Sequence, residues 1–259
     1  IPGLILNPTK IIESLGYLKF MAAKKIQLKQ RSVITEIKSG KNGINSVVIR
    51  NSSGRGAESE IECDLVATTY GFTPDMTIPS ILSLERQYKF DDVVVKVDSK
   101  QRTSIAGVFA AGEVTGIGGH ELAMTEGALA GLAITNSGGV KSLVLKWRRL
   151  REQIFADGLY RIYRIPKDWV EATPRDVIVC RCEEVSLGEI VDSIEELGAD
   201  SARVAKLFTR AGMGLCQGRI CQRNVADIAT VCGKGSTIDP NRETMRPIGG
   251  VVTLGELSD

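Results

Sequence analysis

Two close pairs of cysteines limit what the C-terminal third of this chain can fold into. One residue separates Cys180 from Cys182, 33 residues follow, and four residues separate Cys216 from Cys221. The other two of the six cysteines have no cysteine close to them in sequence, so the pattern is not that of a small disulfide-rich secreted domain. Paired thiolates in a reducing compartment indicate a metal site instead. Both sulfurs of a Cys-x-Cys reach one site only where the chain bends, so we expect these ligands on loops.

Four thiolates satisfy either a [2Fe-2S] cluster, with two sulfurs on each iron, or a single tetrahedral Zn²⁺ ion. The second pair lies in the segment TRAGMGLCQGRIC, residues 209–221, where three glycines stand beside the cysteines. Glycines let backbone amides approach sulfur closely, and Arg181, Arg210 and Arg219 would stabilise a negatively charged cluster. Zinc sites more often use Cys-x₂₋₄-Cys pairs. The pattern favours the cluster, with zinc as the alternative.

The residues around the cysteines predict three short helices. Ser186 and Glu189 have the spacing of a capping box, and apolar residues then recur at helical spacing. Asp200 can cap a second helix, and residues 219–231 can form a third. We therefore expect a mostly helical domain that holds its metal at loops.

These residues resemble the bacterioferritin-associated-ferredoxin-like [2Fe-2S] domain over about 60 residues. The form T-R-A-G-M-G-x-C-Q-G-R-x-C is similar to the version attached to the FAD subunits of opine oxidases, hydrogen cyanide synthase and dye-linked proline dehydrogenases. The resemblance implies that Cys180, Cys182, Cys216 and Cys221 hold the cluster. A related domain follows the flavin domain of anaerobic glycerol-3-phosphate dehydrogenase, so the motif alone does not choose a substrate.

A second motif, TSIAGVFAAGE, covers residues 103–113 and ends in Gly112 and Glu113. It predicts a buried strand that delivers a glycine, which lets a ligand approach the backbone, and then an acidic residue that can accept hydrogen bonds. A helix over residues 121–135 follows, and its N-terminus would favour negative charge. A glycine-rich packing junction would have the same pattern, so both interpretations stay open.

The second motif resembles the second FAD fingerprint of the pyridine-nucleotide-disulfide reductase superfamily. This resemblance implies that Gly112, Glu113 and the backbone near Leu122 and Ala123 contact FAD. Most relatives have Asp at the position of Glu113, whose side chain is one methylene longer. Residues 64–74 resemble the strand that returns from the pyridine-nucleotide domain to the FAD domain.

The upstream pattern predicts a helix over residues 8–22 and a hairpin whose turn is residues 39–43. Strands are predicted over residues 25–29, 32–38, 44–50, 61–69, 93–97 and 103–111.

We expect an α/β fold: the C-terminal part of a flavoprotein with two dinucleotide-binding domains, followed by a small helical [2Fe-2S] domain. No Gly-x-Gly-x-x-Gly occurs in the 259 residues, so we expect the FAD site to be completed by residues outside this chain. The expected divisions are residues 1–62 for the remainder of a pyridine-nucleotide-type domain, 63–140 for the C-terminal part of the FAD-binding domain, 141–175 for a connector, 176–236 for the [2Fe-2S] domain and 237–259 for an extended tail.

Composition argues against two other classes of protein. The 33 Lys+Arg and 31 Asp+Glu leave a formal charge of +2, too small and too evenly spread to predict a nucleic-acid partner. Neither a run of about 18 apolar residues nor a secretory signal is visible. We therefore expect no membrane span and a cytoplasmic location.

Together these patterns predict an electron-transfer subunit of a multi-subunit FAD-dependent dehydrogenase or oxidase acting on an amine or amino acid, such as an opine or proline. Its partners would be a polypeptide carrying the missing N-terminal FAD-binding half and a second flavoprotein subunit. The alternatives are a self-contained NAD(P)H-dependent FAD oxidoreductase and a non-enzymatic zinc-binding module. No catalytic acid or base is identified, since His120, the only histidine, is expected to cap or pack at a helix start.

Overall fold

The computed structural model describes residue 3 and residues 6–41, 43–51, 57–69, 71–90, 92–166 and 168–233. The chain divides into two compact units, one of Ile1–Gly71 with Gly158–Thr173 and one of Phe72–Asp157 with Pro174–Asp259. Among the described residues, no helix has the length and apolar character needed to cross a membrane.

The first unit contains a helix and a three-stranded antiparallel sheet. The helix α1 (Pro8–Ala23) starts with a proline, whose missing amide hydrogen costs nothing at a helix N-terminus. The strands β1 (Ser32–Gly40), β2 (Gly43–Asn51) and β3 (Ser59–Glu62) lie in the order β1-β2-β3. The predicted helix over residues 8–22 and the predicted hairpin are therefore confirmed.

Two strands predicted in this part of the chain are wrong. Residues 26–29 belong to no strand, and Ile26 and Leu28 are exposed. The strand predicted over residues 61–69 ends at Glu62, so residues 63–69 lie outside the sheet. A segment becomes a strand only if another strand pairs with it, and the local sequence does not reveal that partner. A run of apolar residues therefore predicts strands at positions where none forms.

The second unit begins with a short helix and a hairpin. Helix α2 (Thr77–Ile81) precedes β4 (Arg86–Lys89), which pairs antiparallel with β5 (Asp92–Val95). Val93 and Val95 are buried with Met76 and Leu84, and Val108 and other apolar side chains pack against them. The predicted strand over residues 93–97 is thus confirmed in position but ends at Val95.

Residues 103–111 do not form the predicted buried strand. Gly107 has a φ of +80°, and the amide of Val108 donates to the carbonyl of Ile105, 3.1 Å away, which closes a tight turn. Arg102 and Phe109 then pair in an isolated antiparallel bridge. Val108 and Ala110 of the motif pack on the core, whereas Ile105 is exposed, and the chain reaches this arrangement through a turn that requires a residue tolerant of positive φ.

Two long helices follow this turn. A 3₁₀ turn (Glu113–Thr115) leads to α3 (Gly119–Ile134), which confirms the predicted helix over residues 121–135 and begins two residues earlier. Helix α4 (Val140–Ile162) extends through the predicted connector. The short helix α5 (Trp169–Ala172) closes this stretch and belongs to the first unit.

The cysteine-bearing part of the second unit is mostly helical, as predicted. The short strands β6 (Ile178–Cys180) and β7 (Val185–Ser186) form a hairpin. Three helices follow: α6 (Leu187–Glu195), α7 (Ala202–Thr209) and α8 (Gln222–Cys232). Their buried apolar side chains make up the core of this part, with Leu187, Ile190 and Ile228 almost fully enclosed.

Of the two predicted helix caps, one is confirmed and the other is wrong. The capping box is confirmed, because the Ser186 side chain accepts from the Glu189 amide and Glu189 reaches back to the Ser186 amide. The cap of α7 is Ser201, which accepts from the Val204 amide, rather than the predicted Asp200. Helix α8 begins after Cys221, three residues later than predicted. The expected tail over residues 237–259 lies outside the described residues.

Candidate cofactor sites

The four paired cysteines all lie where regular structure ends. Cys180 ends β6 and Cys182 lies in the β6–β7 turn. Cys216 lies in the turns before α8, and Cys221 occupies the N-cap position of that helix. Cys180 and Cys221 are buried, Cys216 is partly buried and Cys182 is exposed. The prediction that these residues sit at loops holds for Cys182 and Cys216, whereas Cys180 is the last residue of a strand and Cys221 is the N-cap residue of a helix.

The four thiols are in contact as two pairs. The side chains of Cys182 and Cys216 interact with each other, and so do those of Cys180 and Cys221. Each contact joins one cysteine of the first sequence pair with one of the second. The charge of Cys216 also acts on Cys221, so the two contacts are close neighbours. The fold therefore brings together residues that are more than 30 positions apart.

The thiols have opposite electrostatic environments. Burial raises the pKa of Cys221 to about 12, with a further contribution from Cys180. Burial also opposes ionisation of Cys216, but hydrogen bonds from the Ile220 amide, Cys182 and the Gly218 amide lower the pKa of Cys216 overall. The loop before α8 thus presents backbone amides to a sulfur, which is the arrangement that stabilises a thiolate ligand.

The glycines in this loop are needed for close approach. The amide of Gly212 donates to Cys180 Sγ at 3.4 Å. Gly212 has a φ of +86°, and a Cβ added there would lie 3.9 Å from Cys221 Sγ. A Cβ added to Gly214 would lie 2.2 Å from the Cβ of Cys182. Any side chain at Gly214 would therefore push the two cysteine-bearing loops apart.

The donor set fits a [2Fe-2S] cluster in number and kind. Such a cluster takes four thiolates, two on each iron, and four sulfurs are present as two neighbouring pairs. Across the described residues, no group of three or more His, Cys, Asp or Glu side chains lies close enough together to hold a single metal ion.

Two of the three nearby arginines have structural partners. Arg210 Nε donates to Glu183 Oε2 at 2.8 Å, which links α7 to the β6–β7 turn. The guanidinium of Arg219 donates to the Cys216 carbonyl at 3.3 Å. Arg181 is exposed beside Cys182. The positive charge expected around the cysteines is present, and part of it organises the loops.

The flavin motif forms a tight turn against α3. Gly112 has φ +83° and ψ −152°, a conformation that glycine adopts far more readily than other residues. A Cβ added to Gly112 would lie 3.4 Å from the Cβ of Ala123, so the turn lies against the first turn of the helix. Glu113 follows on the exposed side, and Leu122 is buried. The structure therefore places two of the four residues assigned to the flavin, Gly112 and Ala123, next to each other.

The loop between this turn and α3 has little room for side chains. A Cβ on Gly118 would lie 2.2 Å from Leu122 Cδ2, and one on Gly116 would lie 2.8 Å from Lys89 Nζ. The loop ends at the N-terminus of a 16-residue helix, which is a favourable position for negative charge. Both glycines pack against side chains of this chain, and the helix N-terminus beside them is the feature that would suit a negatively charged group of a flavin. His120 lies exposed in the first turn of α3 and caps nothing among the described contacts.

Sequence reasoning missed one residue of this site. Glu126 is buried on α3 and accepts a hydrogen bond from the Gly112 amide at 2.9 Å. Its sequence position carried a usable signal, because it lies between Leu122 and Leu129 on the apolar face of the helix. A charged residue at such a position is rarely buried without partners.

The glycine turn with α3 and the four-cysteine domain each fall in a region that matches a known protein family. Residues 14–132 match the pyridine nucleotide-disulphide oxidoreductase family, and residues 178–230 match the BFD-like [2Fe-2S] binding domain. The chain therefore combines an FAD-type oxidoreductase region with a [2Fe-2S] domain, which confirms the fold class, the cofactors and the resemblances that the motifs indicated.

Its relatives include subunits of two kinds of enzyme. It is 30% identical to an opine oxidase subunit of Rhizobium meliloti (strain 1021) over 264 residues, covering 98% of this chain and 56% of that protein. It is 32% identical to the corresponding opine oxidase subunit of Agrobacterium tumefaciens (strain Ach5) over 194 residues, or 70% of this chain and 37% of that protein. It is 32% identical to hydrogen cyanide synthase subunit HcnB of Pseudomonas aeruginosa over 171 residues, or 62% of this chain and 36% of that protein.

A solved structure shares the fold. The L-proline dehydrogenase from P. horikoshii matches with a TM-score of 0.63 and 20% identity, over 86% of this chain and 43% of that chain. The chain thus spans about half, or less, of the length of the proteins that it matches.

Proposed function

We propose that this chain is the electron-transfer part of a multi-subunit FAD-dependent dehydrogenase or oxidase that acts on an amine or amino acid. In this proposal electrons pass between a flavin and the [2Fe-2S] cluster of this chain. The proposal is supported by similarity to proteins named as subunits of opine oxidase and of hydrogen cyanide synthase. The proposed substrate is an amine or amino acid such as an opine, proline or a similar compound.

One observation carries the proposal: both sets of cofactor-type residues occur in the same compact unit. We assign Cys180, Cys182, Cys216 and Cys221 to the cluster, within a domain of residues 176–236. We assign Gly112, Glu113, Leu122 and Ala123 to the flavin, within residues 63–140. The paired thiols and the Gly112–Ala123 contact support these assignments.

The chemistry divides between cofactor and protein. Oxidation of an amine to an imine releases two electrons and two protons; a bound flavin exchanges two electrons at once, and a [2Fe-2S] cluster one at a time. This chain contributes the positions of the two groups. Backbone amides near Cys216 stabilise negative charge on the sulfurs, and the N-terminus of α3 favours negative charge at the glycine turn. No acid or base of this chain is assigned to the substrate.

The proposal includes two partners. A second flavoprotein subunit would carry the flavin at which substrate is oxidised, and further residues outside this chain would supply the first half of the FAD domain. The 259 residues contain no Gly-x-Gly-x-x-Gly, which supports the second partner. Helix α1 has no buried residue, and Ile12, Leu15 and Leu18 are exposed on it, which is consistent with cover by another polypeptide segment.

The test compares two cysteine variants of the assembled enzyme. Cys182→Ala should abolish the [2Fe-2S] EPR signal while FAD content stays unchanged, and electron transfer from substrate-reduced flavin to the terminal acceptor should stop. Cys63→Ala, which removes a thiol outside the two pairs, is the control and should behave as the unmodified enzyme. Substrates are tried as a panel of opines, proline and primary amino acids, with flavin bleaching as the readout.

Two results would contradict the proposal. Metal analysis that finds one zinc and no iron would favour the zinc-binding alternative, and an intact cluster in the Cys182→Ala enzyme would remove the ligand assignment.

The match to the pyridine nucleotide-disulphide oxidoreductases favours the NAD(P)H-dependent alternative as second candidate. Rapid flavin bleaching by NADH or NADPH, with none by the amine panel, would establish that alternative.

A further inference from the structure

Glu126 is a carboxylate buried behind the glycine turn. It lies on α3 one helical turn beyond Leu122, and only 1% of its surface is exposed. A buried carboxylate is costly unless hydrogen bonds and an opposite charge compensate it. Its partners therefore identify the part of the fold that it stabilises.

Both carboxylate oxygens of Glu126 have close partners. Oε2 accepts from the Gly112 amide at 2.9 Å and from the Thr115 hydroxyl at 2.7 Å. Oε1 accepts from Arg149 Nε at 2.8 Å. The Thr115 hydroxyl is also 2.9 Å from the Gly112 carbonyl oxygen. One side chain therefore ties both ends of the turn over residues 112–115 to helix α3.

The hydrogen bond from the Gly112 amide to Glu126 matters because a glycine backbone is free to adopt many conformations. Its φ of +83° and ψ of −152° lie in a region that glycine enters freely but has no intrinsic reason to keep. Glycine also loses more conformational entropy on ordering than other residues. A charge-assisted hydrogen bond to the Gly112 amide offsets part of that loss.

The positive charge that compensates Glu126 comes from Arg149 on α4, the helix that precedes the cysteine domain. Arg149 lies on α4 and its side chain is 28% exposed, against 2% for Glu126. Lys89 and Asp157 lie nearby as a second pair, with 3.9 Å between Nζ and Oδ1. Burial lowers the pKa of Lys89, while the charges of Asp157 and Glu126 oppose that shift. Arg149 is the cation that bonds Glu126 directly.

We infer that Glu126 is a positioning residue, which holds the Gly112–Glu113 turn in the shape that receives the flavin and connects this turn through Arg149 to helix α4. The inference rests on the flavin site proposed above. Glu126 acts from the buried side of the turn, so it orders the backbone that faces the cofactor. Its negative charge also opposes addition of electrons to a flavin on the other side of the turn.

The test uses Glu126→Gln in the assembled holoenzyme, stripped of FAD and titrated with it again. Loss of a charge-assisted hydrogen bond should raise the Kd for FAD about tenfold, and the flavin reduction potential should rise because a negative charge is removed. Iron content should stay unchanged. Amide hydrogen exchange over residues 112–116 of the flavin-free enzyme should accelerate. Glu126→Asp, which keeps the charge but shortens the reach, should restore the potential and part of the affinity.

Two variants serve as controls. Thr115→Val removes one of the hydrogen bonds and should raise the Kd about threefold, with no change in potential. Glu152→Gln neutralises another buried carboxylate, which pairs with Arg148 on α4 at 2.7 Å and does not contact the turn; its FAD affinity and potential should match the unmodified enzyme.

Three outcomes decide the question. An unchanged FAD affinity in Glu126→Gln overturns the inference, and so does an equal change in Glu152→Gln. A weakened affinity without faster amide exchange in the turn also overturns it, because the turn would then not be the part affected. Failure of the proposed function is distinguishable, since the first titration of the unmodified enzyme would then show no FAD bound to this chain.

Discussion

The ion pair between Asp92 and Arg223 offers the sharpest test of how the second unit is held together. Asp92 begins β5 and accepts from the Thr73 hydroxyl at 3.2 Å. Arg223 lies on α8, 131 positions later, and donates to the same Asp92 oxygen. The side chains are 6% and 18% exposed. The contact therefore joins the flavin-type segment to the cysteine domain in a poorly hydrated place.

The cost of breaking this pair follows from its burial. Removing one partner of a fully buried pair costs about 3–5 kcal/mol. Arg223 keeps a second contact with Asp227 at 3.2 Å and has some access to water. We therefore expect Asp92→Asn and Arg223→Met each to lower the free energy of unfolding by about 2–3 kcal/mol. The double variant should lose about 1.5–2 kcal/mol less than the sum of the two.

The assay is urea denaturation of the assembled protein, followed by cluster absorbance and tryptophan fluorescence. With a slope of about 2–3 kcal/mol/M, each single variant should shift the midpoint by about 1 M. Lys96→Gln is the control, because the Lys96–Glu85 pair is about half exposed on both sides and should contribute less than about 1 kcal/mol. Additive single effects, or a control as destabilised as Asp92→Asn, would refute the reasoning.

Three further outcomes are expected. Ser186→Ala removes the reciprocal cap of α6 and should cost about 1 kcal/mol of unfolding free energy in the same assay. Hydrogen bonds from the Thr77 side chain and amide, aided by the charge of Arg219, hold the pKa of Asp75 below its ordinary 3.8. The stability from Asp75 is therefore present above that value and lost as pH falls through the lowered one, so the unfolding curves of Asp75→Asn and the unmodified protein should converge in strong acid; a constant gap would contradict this. Gly112→Ala places a side chain at φ +83° and should weaken FAD retention on gel filtration, whereas the outward Gly131→Ala should not.

Local chemistry explains which features could be predicted from the sequence. The capping box at Ser186 and Glu189 and the hairpin at residues 39–43 depend on neighbours a few positions away, so their patterns were sufficient. The strand predicted over residues 103–111 does not form, because the chain makes a turn at Gly107. Val108 and Ala110 would face the core in a strand, and they also do so in the turn. The hydrophobic pattern is therefore the same for both structures and does not distinguish them.

The contacts of the site that could not be predicted from the sequence join residues that are far apart in the chain. Four cysteines were found from spacing, but the crossed contacts of Cys180 with Cys221 and Cys182 with Cys216 need the folded loops. Glu126 could have been flagged as a charge on an apolar helix face, yet its partner Arg149 is 23 positions away and on another helix. No local rule pairs such residues.

The β4–β5 hairpin has contacts with both the glycine-rich loop before α3 and the helix α8 of the cysteine domain. Lys89 and Asp92 are opposite each other in its register, yet their side chains serve different neighbours. Lys89 lies against Gly116 in the loop that leads to α3 and interacts with the charge of Glu126, whereas Asp92 bonds Arg223 of α8. Strand β5 of this hairpin is buried along its whole length, whereas β4 is partly exposed. The hairpin therefore contacts both the loop that follows the glycine turn and the helix that follows Cys221, so it contributes to the position of both elements in the second unit.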